Sequence, residues 1–515
     1  TFYEFIINYF CWKIKTMKKI LFWLDAEMIH FPIAKFMQEN IDAELSAVLD
    51  VPLPLKKFFK KQKIVDFSKK WFYRDNVSVG STDFDMTYLK EFEKKYHINL
   101  WEVAFNERNF YRYQKFHKFS KNEILSILEQ ECRFFESIFE NYKPDYFLLK
   151  LYSAHHLHLL YLMCKKKQIP TLVLFPTRLT NRSIISTAVD KIDELECNST
   201  INSFEDSEKS KKALNDKILK KQKSNVERWN YNESTSKKIL QIIKFILQTN
   251  HDDYTNYFPN YKKTPLNYLK RSYNHIIERK KIEKFFKKNA LTNIPQQKFV
   301  FFPLHVEPER TISIDASFST NQVEIIHQIA KSLPIDYMLF VKEHPVQFTG
   351  PPKKLSFYQN IIEMPNVKLF HSSVSSLELM KKCEIVTTIN GTVGFECQFY
   401  GKPTIVFGNP IYSNLPLVQR CRNFYDLPNI IKKSLTLKPD PQAIKSFEKL
   451  YNEKSFNFSW DELSLKISKE FFHGGFSGEN EIDENHMNHF IDDNSEIFQY
   501  LSSQYIKKIY KKPSL

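Results

Sequence analysis

The sequence predicts an α/β protein made of two parallel-sheet units in tandem, with a helical insertion between them and a helical C-terminus. Three observations predict it. Short apolar runs of strand type alternate with segments whose apolar residues recur every three or four positions, first over 17–195 and again over 296–435. The connections are long enough for crossover helices, which parallel strands require. In the second block each apolar run is followed at once by polar or special residues, the pattern of a sheet whose carboxyl ends form a binding edge.

Taken in order, "KKILFWL" (18–24) reads as the first strand, "FPIAKFMQENI" (31–41) as a helix and "AELSAVLDV" (43–51) as a further apolar run. "NEILSILEQECRFFESIFENY" (122–142) carries a single apolar face and predicts a long helix. A strand at "KPDYFLLK" (143–150), a helix at "SAHHLHLLYLMCKKKQ" (153–168) and a strand at "PTLVLFP" (170–176) complete the first unit. From 196 to 295 the pattern loosens into polar, Lys-rich helical segments, read as an insertion and connection. The second unit has strands at 298–304, 337–342, 367–370, 384–389 and 403–407, separated by helices near 320–333, 375–383 and 392–400. The segment 436–515 reads as helices that pack back across the units.

Composition narrows the function classes. With 515 residues, 42% hydrophobic and 15% aromatic, the chain buries large cores. Seven scattered cysteines without a C-x-x-C pair read as reduced and cytoplasmic. The first residue is Thr, and the apolar run after Met17 stops at Leu24 before Asp25 and Glu27, too short for a secretory signal core. No run reaches the roughly 20 apolar residues of a membrane span, so a soluble or peripheral protein is expected. The net charge of +16 is densest at 209–224 and 278–288. Solvated Lys-rich helix faces account for it, and so does contact of the 209–288 segment with an anionic membrane surface. No zinc spacing, helix-turn-helix pattern or aromatic-basic motif accompanies the charge, so nucleic acid is not an expected partner.

The candidate site residues come from the strand ends of the second unit. "TINGTVGFECQFYGKPTIVFG" (388–408) holds four of the chain's nine glycines. Asn390, Gly391 and Thr392 sit where a buried strand turns into a helix, a place where free N–H groups can meet a phosphate. Capping of the helix by Asn390 and Thr392, with the glycines serving packing, is the other reading. Glu396, one turn in, can accept from sugar hydroxyls. "VKEHP" adds Lys342, His344 and Pro345: a point charge, an imidazole donor and a fixed turn. "LHVEPE" offers His305, Glu307 and Glu309, which either bind substrate and move protons or cap their loop. Asp25, directly after the first strand, holds the matching position in the first unit. His155 and His158 of "HHLH" share a helical face and read as a buried or cleft-facing pair; no metal constellation is expected. The phosphate loop, nucleophile elbow and zinc-peptidase helix motifs do not occur in the sequence.

"PLHVEPE", "VKEHP" and "TINGTVGFECQFYGKPTIVFG", in this order, resemble the capsule polysaccharide biosynthesis family, related to bacterial transferases of 3-deoxy-manno-octulosonic acid (Kdo). The resemblance covers roughly 296–435. It implies a GT-B-like fold, with two Rossmann-like domains facing a central cleft and a metal-independent glycosyltransferase activity. It also implies a nucleotide-activated donor, CMP-linked sugars being favoured, held by His344 and by Asn390, Gly391 and Thr392. This chain has "NGT" where relatives commonly have "NST" or "SS". The family's catalytic carboxylate lies in the first domain, which makes Asp25 its candidate here, with Glu309 and His305 across the cleft. The expected acceptor is a glycan or a lipid-linked glycan, reached from the cytoplasm or the inner face of its membrane. A polyol-phosphate transferase, a sugar-nucleotide epimerase and a non-catalytic nucleotide- or glycan-binding protein are the alternatives on this scaffold.

Overall fold

The computed structural model describes residues 17–177, 182–189, 258–348, 353–472 and 482–510. Its strands are β1 (Lys18–Asp25), β2 (Ala43–Asp50), β3 (Lys69–Phe72), β4 (Tyr146–Lys150), β5 (Thr171–Pro176), β6 (Arg182–Ser186), β7 (Phe299–Pro303), β8 (Met338–Lys342), β9 (Val367–Phe370), β10 (Ile385–Thr388), β11 (Thr404–Val406), β12 (Val418–Arg420) and β13 (Phe456–Asn457). They form two sheets, β13-β6-β5-β4-β1-β2-β3 and β12-β11-β10-β7-β8-β9. β1 to β5 pair in parallel, while β6 and β13 close one edge antiparallel. The second sheet is parallel throughout. In each sheet the strand order reverses once, between β1 and β4 and between β7 and β10. Such reversals open a crevice at the carboxyl ends. The two-unit α/β architecture expected from the sequence is the one observed.

β1 shows why the strands are buried runs. Leu21 and Trp23 enter one core, Ile20, Phe22 and Leu24 the other, so both faces of the sheet are covered. The helix Lys121–Asn141 covers one face, started by a capping box between Ser120 and Glu123. The other face is covered by the helices His30–Asn40 and Leu53–Lys61, through Phe31, Ile33, Phe58 and Phe59, and by the C-terminal segment, whose Leu463, Ile467, Phe471, Phe490, Phe498 and Leu501 join the same core as Ile20 and Phe22. The segment 436–515 therefore supplies both an edge strand and a helical layer to the first sheet. Of the Lys-rich segment, 190–257 lies outside the described residues, and the rest includes the helix Pro265–Asn289.

Candidate functional site

The carboxyl ends of the two sheets meet. In the first sheet Leu151 follows β4, Phe175 and Pro176 end β5 and Thr177 follows it, and in the second Asn390, Thr392, Asn409 and Tyr412 follow β10 and β11. Together with Asp315, Phe395 and Tyr451 they line one open pocket of about 650 Å³, its mouth included. A second pocket opens between Asn106, Arg108, Tyr111 and Arg112 of the first unit and Glu307, Glu309 and Ser317 of the second.

Between these two groups lies Arg310, which is buried. Its Nε donates to the Tyr152 carbonyl, its guanidinium stacks 4.8 Å from the Tyr152 ring, and one terminal nitrogen bonds Asp315 at 2.6 Å. The other terminal nitrogen is buried without a hydrogen-bond partner among the described residues. Two more orphans sit in this neighbourhood, Thr311 Oγ1 and Asn390 Oδ1, and Asn390 Nδ2 donates to the Thr311 carbonyl at 3.3 Å. Buried polar groups are normally paired, and leaving one unpaired costs about 1–3 kcal/mol. Of these three, Asn390 lines the first pocket, and Arg310 touches its lining through Asp315. His158, stacked on Tyr152 at 5.1 Å, is held neutral, its pKa lowered to about 3 by burial and by Arg310.

The sequence-derived candidates divide around this cleft. Asn390 and Thr392 line the first pocket and Glu309 the second. His305 does not face either pocket. Its Nε2 accepts from the Ile389 N–H at 3.2 Å and meets Thr388 Oγ1 at 3.1 Å, bolting β7 to β10 where the strand order reverses. Gly391 gives room to that bolt, since a Cβ there would lie 2.6 Å from Thr388 Oγ1 and 3.3 Å from His305. The helix expected over 392–400 is a single turn, Val393–Glu396, followed by a 3₁₀ turn to Tyr400. Thr392 makes no side-chain cap there, so a long helix dipole is not what the turn provides. Space at Gly394 is filled by Tyr412 and Thr404. Glu396 is half-buried and outside the pocket lining.

Lys342, His344 and Pro345 stand at the end of β8, two strands from β10 and outside the lining of the first pocket. His344 Nδ1 accepts from the Val346 N–H at 3.2 Å, which puts the ring proton on Nε2. Burial, with Lys342 and Lys353, lowers its pKa to about 4. It is a neutral donor. Burial lowers Lys342 to about 8, with Glu343 opposing. Asp25 is paired: Lys150 lies 2.6 Å from it and 3.0 Å from Glu27. Burial raises the Asp25 pKa against the pull of Lys150. It stands at the carboxyl end of β1, outside the lining of both pockets.

Arg310 and Tyr152 are absent from the sequence reading, while Glu307 and His155 are named there and the structure supplies their partners. Arg310 follows Glu309 directly, but nothing in "PER" signals that its guanidinium crosses to Tyr152. Glu307, buried, accepts from Tyr113 and from Gln322 Nε2 at 2.5 Å, with Arg112 3.6 Å away. His155 is wholly buried between Glu107 at 3.0 Å and Glu131 at 2.9 Å. Burial opposes its charge, but the carboxylates raise its pKa to about 10. Glu131, His155 and His156 bring three possible metal donors within 4.8 Å of one another. Both His155 nitrogens are engaged by carboxylates, so the group is an ion-paired bridge.

Comparison with known proteins places residues 210–420 in a match to the capsule polysaccharide biosynthesis protein family. The match begins inside the Lys-rich segment and runs through β12. Protein FixF of Sinorhizobium fredii is 31% identical over 125 residues, which are 24% of this chain and 29% of that protein. The chain thus spans less than a third of that relative. Among solved structures, the beta Kdo 2,4 transferase of KpsC from Thermosulfurimonas dismutans is 13% identical, covering 55% of this chain and 77% of that one, with a TM-score of 0.27. A UDP-GlcNAc 2-epimerase from Methanocaldococcus jannaschii is 14% identical over 84% of this chain and 99% of its own, with a TM-score of 0.23. Neither structural likeness bears on chemistry.

Proposed function

We propose that this chain, matched to the capsule family over 210–420, is a glycosyltransferase of surface-polysaccharide assembly that uses a nucleotide-activated sugar, CMP-linked sugars being favoured. One observation carries the reading. The orphaned Asn390 carbonyl lines the pocket between the two sheets, with Arg310, orphaned at one nitrogen, behind it on pocket-lining Asp315 and the orphaned Thr311 hydroxyl on a residue bonded to Asn390. A cation with free donors there suits the charge that develops on a leaving phosphate. The nucleotide lies against Asn390 and Thr392, and the acceptor enters between Arg108, Tyr111 and Glu309. The bond from the anomeric carbon to the phosphate oxygen breaks with its electron pair. The acceptor oxygen bonds to that carbon and gives its proton to a carboxylate; exposed Glu309 in the second pocket supports that role, and Asp25, paired with Lys150, supports it less. The acceptor is a glycan or a lipid-linked glycan.

Calorimetric titration with CMP, CDP, UDP and GDP tests the donor site. One nucleotide is expected to bind best, about tenfold more weakly in Thr392→Ala and more weakly still in Arg310→Gln. His344→Ala, two strands away, should change affinity by less than about threefold. If no nucleotide binds, or Arg310→Gln binds as the wild type does, the donor site is elsewhere. Label transferred to an acceptor, as opposed to isomerised donor or mere binding, separates the transferase from the epimerase and the non-catalytic alternatives.

A further inference from the structure

The helix Pro265–Asn289 is anchored on one side only. Ile282 and Phe286 are its buried residues, and both enter the core of the second sheet. With successive residues turned by about 100°, Leu266, Leu269, Tyr273 and Ile276 fall within an arc of about 80° on the far side. They are 75%, 43%, 65% and 57% exposed. Single exposed apolar residues are ordinary, but four in one stripe are not. The stripe does not end at Ile276. Lys280, Lys284 and Lys287 continue it along the same arc, all exposed. The helix carries eight Lys and Arg against Glu278 and Glu283, and Glu278 is paired with Lys281 at 2.9 Å.

We propose that this face lies on an anionic lipid surface, with Leu266, Leu269, Tyr273 and Ile276 among the acyl chains and Lys280, Lys284 and Lys287 at the headgroups. An apolar stripe that passes into a cationic row matches a bilayer interface, which offers hydrocarbon and negative charge side by side. A second copy of the same helix would set lysine rows against each other or against apolar side chains, and charge complementarity favours the lipid. No helix among the described residues is long and apolar enough to cross a membrane. Contact in the plane of the interface needs only this face. The inference stands apart from the transferase reading.

Co-sedimentation of the full chain with vesicles tests it, using phosphatidylcholine alone and phosphatidylcholine with added phosphatidylglycerol. Binding is expected on the anionic vesicles and about tenfold weaker on the neutral ones. Replacing Leu266, Leu269, Tyr273 and Ile276 together by Gln should lower binding about tenfold or more. The variant Lys280→Glu, Lys284→Glu, Lys287→Glu should lose most of the salt-sensitive part. All seven side chains are exposed, so thermal unfolding serves as the folding control. The proposal is overturned if the wild type ignores anionic vesicles, or if both folded variants bind them as the wild type does. It is equally overturned if light scattering shows a dimer that the four Gln substitutions dissolve, since the face then belongs to a second copy.

Discussion

Gly408 lacks a side chain because Asn390 occupies the place. A Cβ on Gly408 would sit 2.1 Å from Asn390 Oδ1. Gly408→Ala should swing the amide out of the pocket and lower nucleotide affinity in titration about as much as Asn390→Ala does. Gly394 is a different case. Its Cβ would meet the Tyr412 hydroxyl at 2.4 Å and Thr404 at 3.0 Å, and Gly394→Ala is expected to cost about 1–3 kcal/mol in denaturant unfolding. Tyr412→Phe should recover part of that loss, although it also removes the hydrogen bond to the Gly391 carbonyl. The histidines set the pH response. His155, raised from 6.5 to about 10, adds stability that is present below pH 6.5 and lost as pH rises toward 10. His30 and His344, lowered to about 3 and about 4, act oppositely, and their stability is lost as pH falls below 6.5. Unfolding free energy should therefore decline on the alkaline side, by at most about 5 kcal/mol through His155, and His155→Gln should flatten that limb. Such roles were not legible residue by residue. "HHLH" announces histidines, but Glu107 and Glu131, which charge one of them, come from loops and helices far away in sequence.

The strands inside each sheet were legible because they are buried on both faces and so read as unbroken apolar runs. β3, β6, β12 and β13 were not. They are two to five residues long and stand at or near the sheet edges, where pairing to a neighbour outweighs any pattern of their own. β13 is held by such pairing. Arg182 of β6 bonds Ser455 Oγ at 2.7 Å, Asn457 Oδ1 at 2.6 Å and the Asn452 carbonyl at 2.8 Å. Deleting residues 456–515 would strip the C-terminal layer from the face holding Ile20, Phe22 and Leu24 and leave only the helices His30–Asn40 and Leu53–Lys61 over it. Each large apolar side chain in the removed layer contributes about 1.5–3 kcal/mol, so the truncated chain is expected to be insoluble or to show no cooperative melting transition. A soluble truncation with a sharp transition would mean the layer is dispensable.

Across the whole molecule, the two units are clasped by a few side chains. Tyr113 donates to Glu307, Arg310 to the Tyr152 carbonyl, Arg112 to the Thr320 carbonyl at 3.1 Å, and Ser317 to Glu102 at 2.9 Å. Nucleotide binding at this seam should slow amide exchange in 106–113 and 305–315 together, and Tyr113→Phe should speed it in the free protein. The edge on which the site lies was legible, because polar residues follow every apolar run of the second unit. Its membership was legible only in part: Glu307, Glu309, Asn390 and Thr392 follow apolar runs, but a contact between units leaves no periodic trace, and Arg310 and Tyr152 emerge only once the sheets face each other. The last strand of the first sheet has a consequence for how the chain is made. On a ribosome adding about 5–20 residues per second, roughly 15–65 s separate the emergence of β6 from that of the C-terminal helices. During that interval the second sheet can close on itself, while the first still lacks β13 and the C-terminal layer that completes the face begun by the helices His30–Asn40 and Leu53–Lys61. The nascent chain can thus finish its second sheet first and keeps part of that apolar face uncovered until residues 460–510 emerge, which makes it a natural client for a holding chaperone.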